Sequence, residues 1–185
     1  MTRSAPMVLG LALAMPAAAQ AQKEPSNTLH TRSMTLYLTE ARNAAHPDDK
    51  ASSLQKALEV GLEGTQKDAD NPQVWFLLGQ VHLEKGNLIA ADSALDRAEA
   101  LWPEYRQEST PLRETAWVTA YNQGVHALQS DDHAAARAAF QRAVDIFDGR
   151  PEALISLAQL QANAGEAAAA AQSYRKALEI VRGAG

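Results

Sequence analysis

The chain has 185 residues, 17 basic against 22 acidic, and no cysteine, a length that fits one domain or a short repeat array. The acidic balance and scattered basic residues supply no cationic face for nucleic acid or anionic lipid. The lack of cysteine removes disulfides, thiolate catalysis, cysteine-ligated zinc and a thiol-linked lipid anchor. Alanine, the strongest helix former, occupies 38 positions.

In chain order, residues 1–21 read as a secretory signal peptide. Arg3 gives a positive start, Met7-Val8-Leu9-Gly10-Leu11-Ala12-Leu13 forms an apolar run, and Ala17-Ala18-Ala19-Gln20-Ala21 supplies small residues for cleavage, after Ala21 or Ala19. The run is short for a bilayer span, and no later stretch is apolar enough for one, so a mature chain without a transmembrane segment is expected. Residues 22–34, with Pro25, Ser26 and Asn27, read as a flexible leader.

From there the pattern is helical, with breaks at Gly, Asn, Asp and Pro. Residues 35–71 read as a degenerate hairpin, with helices over 35–45 and 51–66. His46-Pro47-Asp48-Asp49 lies between them, and its aspartates suit a helix N-terminus. Gly61 and Gly64 fall where larger residues or alanine would pack. Residues 72–116 form the clearest unit: Trp75, Leu78, Gly79 and His82 at helical spacing, a break at Gly86-Asn87, then Ala91, Leu95 and Ala98, and Pro103. A shift of 45 residues carries Gly79, Ala91, Leu95 and Ala98 onto Gly124, Ala136, Phe140 and Ala143, in a unit spanning 117–150. A further 34 carries these onto Ala158, Ala170, Tyr174 and Ala177, in a unit spanning 151–185. The breaker returns as Ser130-Asp131-Asp132 and as Gly165-Glu166. The extra residues before the second unit read as a longer first helix starting at Thr110-Pro111.

At these residues the chain resembles the tetratricopeptide repeat family, whose pattern is W-x2-L-G-x2-Y, then A-x3-F, then P. The 72–103 unit carries it with His82 for the tyrosine and Leu95 for the phenylalanine, whereas the second unit has Ala120 and Gln123 where tryptophan and leucine belong. The resemblance implies an all-α solenoid of helical hairpins, a right-handed superhelix of six to eight helices. It also implies a concave groove lined by Gln73, Phe76, Gln80, Leu83, Tyr121, Asn122, Val125, Gln129, Glu152, Ile155, Gln159 and Asn163. Amides there could bond a peptide backbone, and Phe76 and Tyr121 could anchor side chains or stack on a sugar. No lysine or arginine is among the twelve, so a carboxylate clamp is not expected. The apolar residues Tyr174, Leu178, Ile180 and Val181 near the C-terminus point to self-association through that end.

No catalytic constellation is nominated. The five histidines form no HExxH or other metal spacing, and there is no phosphate loop or G-x-S-x-G elbow. His82 reads as a packing residue and His133 as an exposed helix-start residue. The expectation is an exported adaptor without catalysis, metal or cofactor, periplasmic or extracellular. It would bind a protein or peptide, and no nucleic acid, in its groove during envelope assembly or secretion. The alternative is a structural subunit that oligomerises through its repeat ends.

Overall fold

The computed structural model describes residues 23–183, so the signal-peptide reading of 1–21 lies outside the described residues. Among the described residues eight α-helices follow one another: α1 (Leu29–Asn43), α2 (Pro47–Lys67), α3 (Pro72–Glu84), α4 (Leu88–Leu101), α5 (Arg106–Gln129), α6 (His133–Ile146), α7 (Glu152–Asn163) and α8 (Ala167–Gly183). A 3-10 turn, Pro103–Tyr105, precedes α5, and no strand occurs among the described residues. Consecutive helices pair as four hairpins, α1–α2, α3–α4, α5–α6 and α7–α8, each resting on its neighbours.

Local chemistry sets the boundaries. Thr28 caps α1 reciprocally with Thr31: each backbone N–H donates to the other's hydroxyl. Pro47 opens α2 with Asp48 and Asp49 in its first turn, and the Asn71 side chain caps α3 ahead of Pro72. The turns inside the last three hairpins share one device. Gly86, Asp131 and Gly165 adopt positive φ, and the next residue's N–H donates back to a carbonyl five residues earlier (Asn87 to His82, Asp132 to Ala127, Glu166 to Gln161, all 2.9 Å). These turns recur at the spacings of 45 and 34 residues read from the sequence.

Two boundaries differ from expectation. The part of the expected 22–34 leader that is described, from residue 23, is not loose: α1 begins at Leu29, and Thr31 and Met34 are buried. The residues before it are tied down by a fully buried Asn71. Its carboxamide oxygen accepts from Ser26 N–H (3.2 Å), its nitrogen donates to Ser26 O (2.9 Å), and Lys23 pairs with Asp68 and Asp70. The second difference is Pro111, which lies inside α5 rather than at its start. Its missing N–H frees a carbonyl on a face where Gln107 and Pro111 are exposed, while Ser109 and Arg113 fasten the opposite face.

Close approach of the paired helices depends on glycine. A Cβ on Gly79 would stand 2.7 Å from Leu95, and one on Gly124 would stand 2.6 Å from the Phe140 ring. Gly61 has the same role in the first hairpin, under the end of Met34 at 2.7 Å, and Gly64 lies close to Val74 and His30. The two glycines that looked anomalous in the sequence are therefore where α1 and α3 settle onto α2.

Candidate partner-binding surface

The twelve groove residues do not form one surface. Phe76 is buried and stacked on Tyr105, with ring centroids 4.4 Å apart, so it can neither anchor a partner nor stack on a sugar. The cause is the turn before α5, which folds Tyr105 back over α3. Tyr121 is half-buried, stacked on Trp117 (4.8 Å) and tilted against Phe140 (5.4 Å), and Val125 packs beside Phe140, Leu157 and Leu160. Gln80 is engaged by Arg42 (2.9 Å), Glu152 by Arg150 (2.9 Å) and Gln73 by Asn27 (3.4 Å). Asn122, Gln129, Ile155, Gln159 and Asn163 are exposed, and Leu83 is half-buried.

Leu83 is also the one member of that set that reaches the main cleft, a space of ≈ 630 Å³ between the α3–α4 turn and α5. Leu83, Leu88, Leu112, Ala116 and Ala120 supply apolar lining, and Thr115, Thr119, Gln123, Lys50, Glu84 and Arg142 supply polar and charged groups. Leu112, Ala116 and Ala120 repeat every four residues, as do Thr115, Thr119 and Gln123, so one broad face of α5 meets the cleft. Sequence reasoning missed this face because it treated the added residues only as helix extension. The four-residue periodicity through 112–123 was the available signal.

Ion pairing sets the charge at one edge of the cleft. Glu84, which burial alone would raise, is held below the usual carboxylate range by Lys50 (2.9 Å) and Arg42 (3.2 Å). Arg142 donates to Gln123 (3.0 Å) and has no carboxylate partner among the described residues. His82 is half-buried with Nδ1 unpartnered, and burial together with Lys85 lowers its pKa. That environment fits packing. His133 is exposed at the first residue of α6.

A second hollow, ≈ 430 Å³, lies between the end of α6 and the α4–α5 junction. Arg113 stands at its centre and pairs with Asp92 (3.0 Å), Asp96 (2.6 Å) and Glu99 (2.6 Å), which share one face of α4. Burial and the neighbouring Asp96 push Asp92 up to about 6 despite Arg113. Burial would also raise Glu99, but hydrogen bonds from Ser109 and Arg106 and the charge of Arg113 keep it low. This knot fastens the lengthened α5 to α4. No group of three His, Asp or Glu side chains suited to hold a metal occurs among the described residues.

Four stacked antiparallel hairpins, the last three sharing one turn and the first three a glycine under a large apolar residue, define an α-helical repeat protein. The family follows from the comparisons. The tetratricopeptide repeat profile matches residues 39–106 and 121–184, more than half of the chain, and the chain belongs to that family. No curated protein matches it. Among solved structures, one crystal structure of MamA protein is 20% identical, covering 82% of this chain and 75% of that one, with a TM-score of 0.34. A second MamA crystal structure is 23% identical, covering 83% and 79%, with a TM-score of 0.33. TTC0263, a thermophilic TPR protein of Thermus thermophilus, is 22% identical, covering 81% and 82%, with a TM-score of 0.30.

Proposed function

We propose that this chain is an exported, non-catalytic adaptor of the periplasm or extracellular space that holds a segment of a protein partner during envelope assembly or secretion. A repeat fold of this family is a scaffold for protein interaction, and the finer reading rests on the cleft beside α5. What supports it is an apolar lining wide enough for side chains, bordered by hydroxyl, amide and charged groups that can bond a peptide. The exposed amides of the groove set, Asn122, Gln129, Gln159 and Asn163, extend the polar surface along α5 and α7. Export rests on the charge, apolar run and small residues of 1–21.

The test is affinity capture from envelope extract of the source cell with three baits: the parent, Thr119→Arg to fill the cleft, and Asn122→Ala in the amide set. Thr119 is exposed, so arginine there leaves the core intact. A partner held by the parent and weakened about tenfold or more by Thr119→Arg supports the cleft. Loss with Asn122→Ala alone would move the site to the amide face. Equal capture by all three baits would refute both surfaces.

A further inference from the structure

We infer that the outer face of α8 receives the outer face of α1 from a second copy, so that copies join head to tail as one more hairpin-to-hairpin step. The repeat register carries the argument. A shift of 34 residues brings Phe140, Val144 and Phe147 onto Tyr174, Leu178 and Val181. Around α6 the next helix covers Phe140, fully buried in a cluster with Leu157 and Leu160 of α7, and Val144 lies by Leu154 and Leu157, while Phe147 is half-buried. On α8 the equivalent side chains are 43%, 46% and 56% exposed, and no helix among the described residues takes the place of α7.

The other end supplies the counter-face. Aligning the last residues of α1 and α3, Asn43 with Glu84, sets Ser33, Leu36 and Glu40 at the positions of Val74, Leu77 and Val81. Leu77 and Val81 belong to the cluster that joins α3 to the first hairpin. Leu36, in contrast, is 55% exposed, and Leu29, two turns earlier on the same stripe, is 77% exposed. Five of the ten exposed large apolar side chains among the described residues therefore lie on these two terminal faces.

Charge agrees with this pairing. In the α6–α7 step, Phe140 meets the second half of α7 and Val144 the first, so the helices run antiparallel. The same antiparallel register turns Arg175 towards the Glu40 end of α1 and Glu179 towards its Arg32 end, four residues that make no ion pair among the described residues. Because the two faces differ, the contact is heterologous and leaves a free α1 and a free α8 at the ends of every open oligomer. It uses no residue of the cleft, so it stands or falls separately from the adaptor reading.

The test is sedimentation velocity on the purified full chain and on two exposed-site variants, Leu36→Glu and Leu178→Glu, with helicity checked by circular dichroism. The parent is expected to grow in average mass with concentration, and each variant alone to remain monomeric. An equal mixture of the variants should form a species of twice the monomer mass and no larger, because it restores one productive contact and blocks growth beyond it. A parent monomeric throughout, self-association retained by either variant, or a mixture that stays monomeric would each overturn the inference.

Discussion

Replacing Arg113 with methionine tests how the lengthened helix is fastened. Methionine keeps most of the apolar stem and removes the guanidinium that joins Asp92, Asp96 and Glu99. The Asp96 side chain is 66% exposed, so its arm contributes about 0–1 kcal/mol. Glu99 is only 8% exposed, and stripping a buried partner costs about 3–5 kcal/mol. Glu99 keeps Ser109 and Arg106, which places the expected loss near the lower bound, about 3 kcal/mol. With a urea m-value of about 2 kcal/mol/M, the midpoint should fall by about 1.5 M, followed by far-ultraviolet circular dichroism. The double variant Arg113→Met, Glu99→Met should recover most of that loss, because the stranded charge is gone. A midpoint that falls by less than about 0.3 M would show that the knot contributes no more than a surface pair, and the account of the α4–α5 junction would be wrong.

Asp92→Asn tests the opposite sign. The folded-state value of about 6 lies above the ordinary 3.8, so the folded protein holds this proton more tightly than the unfolded chain. The associated stability is complete below about pH 4 and lost as pH rises through about 6. Asparagine should therefore stabilise by about 1 kcal/mol near pH 7.5, after allowance for solvent screening, with the advantage vanishing near pH 4. Urea midpoints at the two pH values check this, and an equal difference at both would contradict it. Gly124→Ala pushes a methyl into the Phe140 ring and should cost about 2 kcal/mol, seen as a Tm several degrees lower by calorimetry; an unchanged Tm would mean that the hairpin has slack there. Asn71→Ala removes the bonds to Ser26, Gln73 and Asp68 and should cost about 2 kcal/mol. It should also speed trypsin cleavage after Lys23, and an unaltered digestion rate would show that Asn71 does not hold the segment.

The repeat was legible because its determinants are local and periodic. Gly79 and Leu95, Gly124 and Phe140, and the breakers at Gly86, Asp131 and Gly165 recur at fixed offsets, and the structure uses each where the offset puts it. Thr28 and Asn71 were less legible, because their roles depend on bonds to partners that no period marks. Lys23 and Ser26 meet Asp68, Asp70 and Asn71 across some forty residues, which is why polar sequence looked like a loose leader. The groove set failed in part for a related reason. Family register places Phe76 on an open face, but the added turn brings Tyr105 over it, and an insertion alters what its neighbours touch without altering their spacing. Arg113 could be read only as one charge among many until α4 showed three carboxylates on one face.

The long α5 has a mechanical consequence. A regular solenoid is a uniform spring, in which each interface repeats the last and strain spreads evenly along the array. Here α4 passes to α5 through a 3-10 turn, a stacked Phe76–Tyr105 pair and a polar knot, and the family profile itself is interrupted between 106 and 121. Those contacts are short-ranged, so they hold under a small load and fail together under a larger one, and tension on the two ends should part the molecule at that seam into two stiff blocks. A load would then widen the space between the blocks, where the cleft lies, before it unravelled either of them.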